Sequence, residues 1–398
     1  MSKRHQYGAD FASRIRRMQE LIMARSGVDE FYEILRLILA KFFAESAGLS
    51  ALPDVATCNR LLFARSREVA GILDDAVNIQ TPADLFKDIQ VLFTDVSIRG
   101  QDFTALDDAF EVLTSRTYKA DKGQYFTPRH VVDMCVNALD PRPHEVVCDP
   151  ACGSGAFLKA AYSYGLRNYG GSPGLRGFDY SHRATQVARA VSLVGTEGTL
   201  RVEQVDSLKF RSAGPNEPTI ESMMGRDFHG FDVILTNPPF AGDVSQEQFA
   251  GDYELATSVN RKLERDVLFM ERCLRLLKVG GRMAIVLPDN KVSSRAFRDF
   301  RLFVARNSEI NAVVSLHRYT FLPYTSQKAS VLFVTRKEKS FSPYNTAINF
   351  YRSDKAGKTS NGSPVYRDPE RVDRPPYEAL DHDLEEVAED IRRHTCVG

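Results

Sequence analysis

The chain of 398 residues lacks several features that assign a protein to a class at first sight. It has no apolar run long enough to span a membrane, and no signal-peptide pattern follows the opening MSKRHQYGAD. We therefore expect a cytoplasmic protein without membrane contact. Internal repeats and low-complexity tracts are also missing, so the sequence does not indicate a repeat architecture.

Cysteine and net charge are equally scarce. The six cysteines are scattered without a CxxC pair, so we predict neither a disulfide framework nor a metal site and expect small buried residues instead. Basic and acidic residues both number 52, which gives a formal net charge of zero. Proteins that bind DNA strongly alone are usually basic, so the overall charge does not indicate such a protein; a local basic face and phosphate contacts supplied by a partner are the two alternatives.

What is present describes a globular protein of two or three domains, with 43% hydrophobic and 26% charged residues. Apolar residues recur at helical intervals near the N-terminus and predict an all-α domain over residues 1–117. Its expected helices are Phe11 to Ala24, Val28 to Ala47, Ser66 to Asp75, Pro82 to Val96 and Leu106 to Ser115.

Residues 118–340 alternate between short apolar strands and helices, which predicts a doubly wound, mainly parallel, Rossmann-like α/β sheet. Open sheets of this kind bind ligands at the carboxyl ends of their strands. Residues 341–398 are polar and predict a short C-terminal tail with one helix, Asp381 to Arg393.

A glycine turn follows the first strand of this domain. Glu145 to Cys148 is a β-branched run, and Asp149 then leads into the turn Gly153-Ser154-Gly155 before a predicted helix. Bare backbone lets a ligand approach closely, and the N–H groups of the helix N-terminus can bind an anionic group, here a carboxylate. An ordinary tight βα connection could use the same residues.

A second strand, Phe231 to Thr236, continues directly into Asn237-Pro238-Pro239-Phe240. Two consecutive prolines fix an extended turn, so the Asn237 side-chain oxygen and the Pro238 carbonyl can both face outward. These two acceptors match the two N–H donors of an exocyclic amine, and Phe240 offers a flat face for an extruded base. A proline-rich turn capped by Asn is the alternative.

Two further carboxylates follow strands of the same domain. Asp179 comes about 30 residues after the first strand, where an acidic group can accept hydrogen bonds from both hydroxyls of a ribose. Asp206 follows the predicted strand Leu200 to Val205. Solvated loop carboxylates are the alternative for both residues.

Together with GQYFTP (residues 123–128), the segments DPACGSGAFL and FDVILTNPPF resemble the motifs of N6-adenine DNA methyltransferases, and most closely those of the methylation subunit of type I restriction-modification systems. The resemblance implies a seven-stranded sheet with an antiparallel last strand, and S-adenosyl-L-methionine as the cofactor. It also implies the residues that contact the cofactor: Tyr125, Phe126, Thr127, Asp149, Ala151, Gly153, Ser154, Gly155, Asp179, Asp206 and Asn237. The implied catalytic residues are Asn237, Pro238, Pro239 and Phe240.

The resemblance further implies transfer of a methyl group to N6 of a flipped-out adenine in double-stranded DNA. Little chain remains after the catalytic domain, so we expect a separate specificity subunit, a restriction subunit in some systems, and a hetero-oligomer with two copies of this chain. Methylation of an RNA base or a protein glutamine, and a non-catalytic structural subunit, are the alternative hypotheses. Cytosine-N4 enzymes usually carry Ser in place of Asn237, which favours adenine.

Overall fold

The computed structural model describes residues 6–73, 77–99, 126–196, 198–210, 217–240, 242–245, 249, 251–257, 263–338, 347–368 and 379–395. The chain divides into two compact units. The first comprises residues 1–120 with 181–201, and the second comprises residues 121–180 with 202–398. Within the described residues, no helix is both long and apolar enough to cross a membrane.

The helices, in chain order, are α1 (Gln6–Arg25), α2 (Glu30–Ser46), α3 (Val55–Ala64), α4 (Ser66–Val69), α5 (Ala83–Leu92), α6 (Arg129–Leu139), α7 (Ala156–Tyr169), α8 (His182–Gly195), α9 (Ile220–Met224), α10 (Glu254–Thr257), α11 (Arg265–Leu276), α12 (Asn290–Ser293), α13 (Arg298–Asn307) and α14 (Leu384–Thr395). The strands are β1 (Val146–Asp149), β2 (Gly174–Asp179), β3 (Leu200–Gln204), β4 (Phe231–Thr236), β5 (Asp243–Val244), β6 (Leu263–Glu264), β7 (Leu277–Pro288), β8 (Ser308–Ser315), β9 (Ala329–Arg336) and β10 (Asn349–Arg352).

The first unit is helical, as the sequence predicts for its N-terminal part. Helices α1, α2, α3 and α5 share one apolar core, to which α8 contributes Val187, Ala190 and Val191. The Asp29 side chain accepts a hydrogen bond from Phe31 N and so caps α2. The helix expected from Ser66 to Asp75 is much shorter, because α4 ends at Val69. The helix expected from Leu106 to Ser115 lies outside the described residues.

The second unit is built on a sheet of eight strands in the order β10-β8-β9-β7-β4-β1-β2-β3. Strand β1 pairs in parallel with β2 and β4, and β4 pairs in parallel with β7. Strand β9 is antiparallel to both β7 and β8. The expected doubly wound sheet with an antiparallel last strand is therefore confirmed, and β10 adds a strand that the sequence analysis did not predict.

Parallel pairing brings the carboxyl ends of β1, β2 and β4 to one edge of the sheet. These strands end at Asp149, Asp179 and Thr236. Strand β4 is buried almost throughout, which explains its continuous apolar run. The polar residues that the sequence analysis selected consequently lie at a common edge.

The C-terminal segment is an integral part of the second unit. Helix α14 packs against α6, and β10 pairs in parallel with β8. The rings of His130 and His382 stack at 5.0 Å between centroids, and His130 is buried. The segment expected as a tail thus contributes both a strand and a helix to the fold.

Gly230, which precedes β4, provides a test of how tightly the sheet is assembled. Its φ is +109°, and an added Cβ would lie 2.7 Å from the carbonyl carbon of Leu277. Gly280 has a φ of +81° but nothing within 4 Å of its Cβ position, so it is a matched control. We expect Gly230→Ala to lower the free energy of unfolding by roughly 3 kcal/mol, and Gly280→Ala by only about 1 kcal/mol. Urea denaturation measures both, and equal losses would show that close approach to β7 is unimportant.

Candidate functional site

The glycine turn after β1 has the conformation that its sequence predicts. Gly153 and Gly155 have positive φ values of 52° and 86°, and α7 begins directly afterwards at Ala156. A Cβ at Gly153 would meet nothing within 4 Å, so the backbone there borders open space. Ser154 is buried. The turn therefore presents bare backbone beside the start of a helix.

Asp149, at the end of β1, is only 1% exposed. Its Oδ1 accepts hydrogen bonds from Thr236 Oγ1 at 2.7 Å and from Ala151 N at 3.0 Å. Burial raises the pKa of this carboxyl to about 7; the charge of Asp179 adds to the rise, and the two donors oppose it. One carboxylate therefore connects β1, β4 and the glycine turn.

Asp179 and Asp206 follow the neighbouring strands. Asp179 Oδ2 accepts a hydrogen bond from Gly153 N at 2.9 Å, so the end of β2 is tied to the glycine turn. Asp206 is half-buried and accepts a hydrogen bond from Leu208 N at 3.1 Å. Asp179 thus joins the same cluster as Asp149, whereas this bond of Asp206 lies within its own turn.

Asn237 lies at the end of β4 and contacts the segment that precedes α6. Its Nδ2 donates a hydrogen bond to Thr127 Oγ1 at 2.9 Å. This bond orients the amide of Asn237, because its nitrogen points towards Thr127 and its oxygen Oδ1 therefore points away from Thr127. Pro238 is buried and Pro239 half-buried. Two segments that the sequence analysis selected separately are therefore in direct contact.

The aromatic residues of the site are less exposed than the sequence analysis implied. Phe240 is only 5% exposed, and its ring packs edge to face against Phe321 with 5.6 Å between centroids. Phe126 is half-buried, and its ring centroid lies 6.5 Å from that of Tyr324. Tyr125, which the resemblance also selects, lies outside the described residues.

Arg272 on α11 supports the turn that carries Asp206, and the sequence analysis missed it. The guanidinium is fully buried; its Nε donates to Ser207 O at 2.6 Å, and its two terminal nitrogens donate to Glu221. Tyr253 adds a hydroxyl donor to Leu208 O at 2.7 Å. A charged residue amid the apolar stretch VLFMERCLRL was the signal that could have identified it.

Two members of a basic cluster after β7 have structural contacts, whereas Arg295 and Arg298 are exposed. The sequence gathers Lys291, Arg295, Arg298, Arg301 and Arg306 within one segment. Lys291 is buried, however, and forms ion pairs with Glu264 at 2.5 Å and Asp266 at 3.1 Å. Arg301 donates to Ser294 O at 2.6 Å. These two cations therefore hold the local structure together instead of facing a ligand.

A metal site among the described residues would need several His, Cys, Asp or Glu side chains close together. None of the described His, Cys, Asp and Glu side chains forms a group of three that could hold a metal ion. The described cysteines, Cys58, Cys135, Cys148, Cys152 and Cys273, are buried and free. The carboxyl groups of Asp149 and Asp179 at the sheet edge accept hydrogen bonds from backbone and hydroxyl donors.

The family described as N-6 DNA Methylase matches residues 101–366. The methylase subunit of the type I restriction enzyme EcoEI from Escherichia coli is 25% identical over 303 residues, which cover 71% of this chain and 58% of the relative. The StySPI methylase subunit from Salmonella potsdam is 29% identical over 227 residues, which cover 55% of this chain and 41% of the relative. The chain thus spans about half the length of these relatives.

Solved structures share the fold. The methyltransferase subunit of a type I restriction-modification system from Streptococcus thermophilus superposes with a TM-score of 0.60 at 15% identity. The alignment covers 98% of both chains. At this identity the likeness shows the fold alone.

The contribution of the hydrogen bond between Thr127 and Asn237 to stability can be measured by a double-mutant cycle. We expect Thr127→Val and Asn237→Ala to show a coupling of about 0.5–1.5 kcal/mol in the free energy of unfolding, because each removes one side of the same hydrogen bond. Thr127→Ser keeps the hydroxyl and should retain most of the coupling. Strictly additive losses in chemical denaturation would show that the bond contributes nothing.

The raised pKa of Asp149 predicts a pH dependence of stability. The folded protein holds this proton up to about pH 7, whereas an unfolded chain releases it near the ordinary value of 3.8. Unfolding therefore becomes easier as pH rises from about 4 to about 7, by at most roughly 4 kcal/mol for a shift of this size. Asp149→Asn keeps an oxygen acceptor for Thr236 and should flatten this slope in urea titrations across that range. An unchanged slope would assign the pH dependence to other groups.

Proposed function

Because the chain belongs to the N-6 DNA methylase family, we propose that it transfers a methyl group from S-adenosyl-L-methionine to N6 of a flipped-out adenine in double-stranded DNA. The observation that carries the proposal is the hydrogen bond between Asn237 and Thr127, together with the bond between Thr236 and Asp149. These contacts bring the predicted amine-binding segment and the predicted cofactor segments to one edge of the sheet.

The residues at this edge suit S-adenosyl-L-methionine. The open space beside Gly153 allows close backbone approach, and the free N–H groups at the start of α7 favour a carboxylate. The buried Asp149 would pair with an ammonium group, and Asp179 with ribose hydroxyls. Asp206 would accept from the adenine amine of the cofactor, on a turn that Arg272 and Tyr253 hold in place.

Asn237 and Pro238 would bind the amine that is methylated. Adenine N6 is a weak nucleophile because its lone pair is delocalised into the ring. Two acceptors for its two N–H groups, the Asn237 side chain and the Pro238 carbonyl, bias the nitrogen towards tetrahedral geometry. S-adenosyl-L-methionine supplies the electrophilic methyl group when bound, so these residues act by positioning and electrostatics, without a covalent protein intermediate.

The rings near Asn237 would form the apolar side of the base site. Flipping a base out of a duplex costs a few kcal/mol, which stacking on aromatic side chains partly offsets. Phe240 is largely buried against Phe321, so only an edge or one face of its ring would meet the base. Pro239 beside it is half-buried and keeps the turn rigid.

Sequence specificity is proposed to come from a separate subunit. The net charge of zero provides little general attraction for DNA, and the EcoEI and StySPI relatives are named as methylase subunits of restriction enzymes. We place the chain in a cytoplasmic hetero-oligomer with two copies of itself, one specificity subunit and, in a complete system, a restriction subunit. The helical domain of residues 1–117 would contact DNA or a neighbouring subunit. Residues 118–340 would form the catalytic domain, followed by the C-terminal segment 341–398.

A transfer assay tests the proposal. The protein, alone and with any co-purifying partner, is incubated with labelled S-adenosyl-L-methionine and unmethylated genomic DNA, and the nucleosides are analysed. We expect N6-methyladenine, and Asn237→Ala should reduce its rate by about 100-fold or more, since an oriented hydrogen-bond acceptor is lost. Asn168→Ala, which removes the donor to Tyr164 O on α7, is the matched control and should retain activity.

The same assay, repeated with total cellular RNA and with cell protein as acceptors, distinguishes the alternatives. Label that enters RNA or protein but not DNA would redirect the substrate to another amine. Cofactor binding without transfer to any acceptor, with and without the partner, would indicate a structural subunit that retains the fold. Either result would overturn the proposal for adenine in DNA.

A further inference from the structure

The loop between β8 and β9, residues 316–328, carries two rings that pack against the proposed site, Phe321 against the base residue Phe240 and Tyr324 against the cofactor residue Phe126. Phe321 packs edge to face against Phe240, with 5.6 Å between centroids, and is itself only 2% exposed. The ring centroids of Tyr324 and Phe126 are 6.5 Å apart, and Tyr324 is 40% exposed. The position of this loop therefore determines where the aromatic surface beside Asn237 lies.

The backbone of this loop is bound by a cation from the C-terminal segment. Lys358 Nζ donates to Thr320 O at 3.0 Å and to Leu322 O at 2.7 Å. These are the two carbonyls on either side of Phe321. Hydrogen bonds from an ammonium group are stronger than neutral ones, so Lys358 fixes the stretch of backbone that carries the ring.

Lys358 belongs to a tight hairpin, residues 357–365, whose backbone is held by internal hydrogen bonds. Thr359 N donates to Ser363 O at 2.8 Å, and Val365 N donates to Gly357 O at 2.8 Å. A Cβ at Gly362, where φ is +85°, would lie 2.8 Å from Pro323 N. The hairpin therefore lies directly against the loop, and its backbone approach requires glycine.

We propose that Lys358 is a positioning residue for base recognition, which fixes Phe321 against Phe240 and so shapes the pocket for the flipped adenine. This inference rests on the proposed function of the site. Lys358 touches neither substrate nor cofactor in this scheme and acts only through the loop. The C-terminal hairpin thereby becomes part of the substrate site, although it is about 120 residues away from Asn237 in the sequence.

Lys355 offers a matched control in the same segment. It also pairs with an oxygen, Asp381 Oδ1 at 2.9 Å, but it is 59% exposed. An exposed ion pair contributes little to stability, so Lys355→Met should alter the fold no more than Lys358→Met does. Lys358→Arg keeps the positive charge and its donors and serves as the conservative variant.

The test compares these full-length variants in hydrogen exchange, cofactor binding and methyl transfer. We expect Lys358→Met to accelerate amide exchange in residues 316–328 by about ten-fold or more, since two charge-assisted bonds are lost. The affinity for S-adenosyl-L-methionine, measured by calorimetry, should fall much less than kcat, because Lys358 binds the carbonyls on either side of Phe321, whereas the cofactor residue Phe126 lies against Tyr324 further along the loop. In the transfer assay kcat should fall by about ten-fold or more with little change in KM for DNA. Lys355→Met should match the wild type, and Lys358→Arg should recover most of the loss.

Other results would overturn the inference. Unchanged exchange in residues 316–328 would show that Lys358 does not hold the loop. Faster exchange with an unchanged kcat would show that the loop does not position the base. If the wild type binds the cofactor but methylates no DNA, the proposed function fails and the positioning role fails with it, while the exchange data still report separately on whether Lys358 holds the loop.

Discussion

The hydrogen bond from Thr236 to Asp149 joins the carboxyl ends of β1 and β4, and the geometry of the site depends on it. A buried carboxylate is costly unless donors surround it, and Asp149 is almost fully buried. One donor comes from the neighbouring strand and another from the turn that leads to α7. Parallel pairing of Cys148 with Ile234 brings the two side chains together. The register of β1 and β4, the position of the turn that leads to α7 and the pKa of Asp149 are therefore coupled through this one buried side chain.

That constraint extends along the sheet edge through further contacts between distant segments. Asn237 directly follows Thr236 and binds Thr127, which is 110 residues earlier in the sequence. Asp179 binds the backbone of Gly153, which is 26 residues away. Each bond holds its donor and acceptor in place as part of the fold, so a ligand at the proposed site would meet groups that are already ordered. The site is thus organised by a few bonds between strand ends.

Two cations stabilise irregular backbone around this edge. Arg272 donates to Ser207 O in the turn that follows β3, and Lys358 donates to two carbonyls in the loop that follows β8. Neither segment pairs along its length as a strand would, so its carbonyl groups need other donors. Charged donors satisfy them and also fix their positions, because charge-assisted bonds are the stronger kind. On both the cofactor side and the base side of the proposed site, a cationic side chain thus holds the backbone by donating to its carbonyl groups.

The sequence by itself determined the α/β sheet and the segments that meet at its edge, whereas the antiparallel last strand was expected only from the resemblance to the methyltransferase family. Strand periodicity, the glycine turn before Ala156 and the prolines after Asn237 are local signals, since each arises within a few neighbouring residues. Only the tertiary structure decided that Thr236 binds Asp149, that Arg272 and Lys291 are buried supports, and that the C-terminal segment adds β10 and binds the loop after β8 through Lys358. These contacts join residues tens to more than a hundred positions apart. No local pattern specifies them, because they exist only once the strands have paired and the loops have packed.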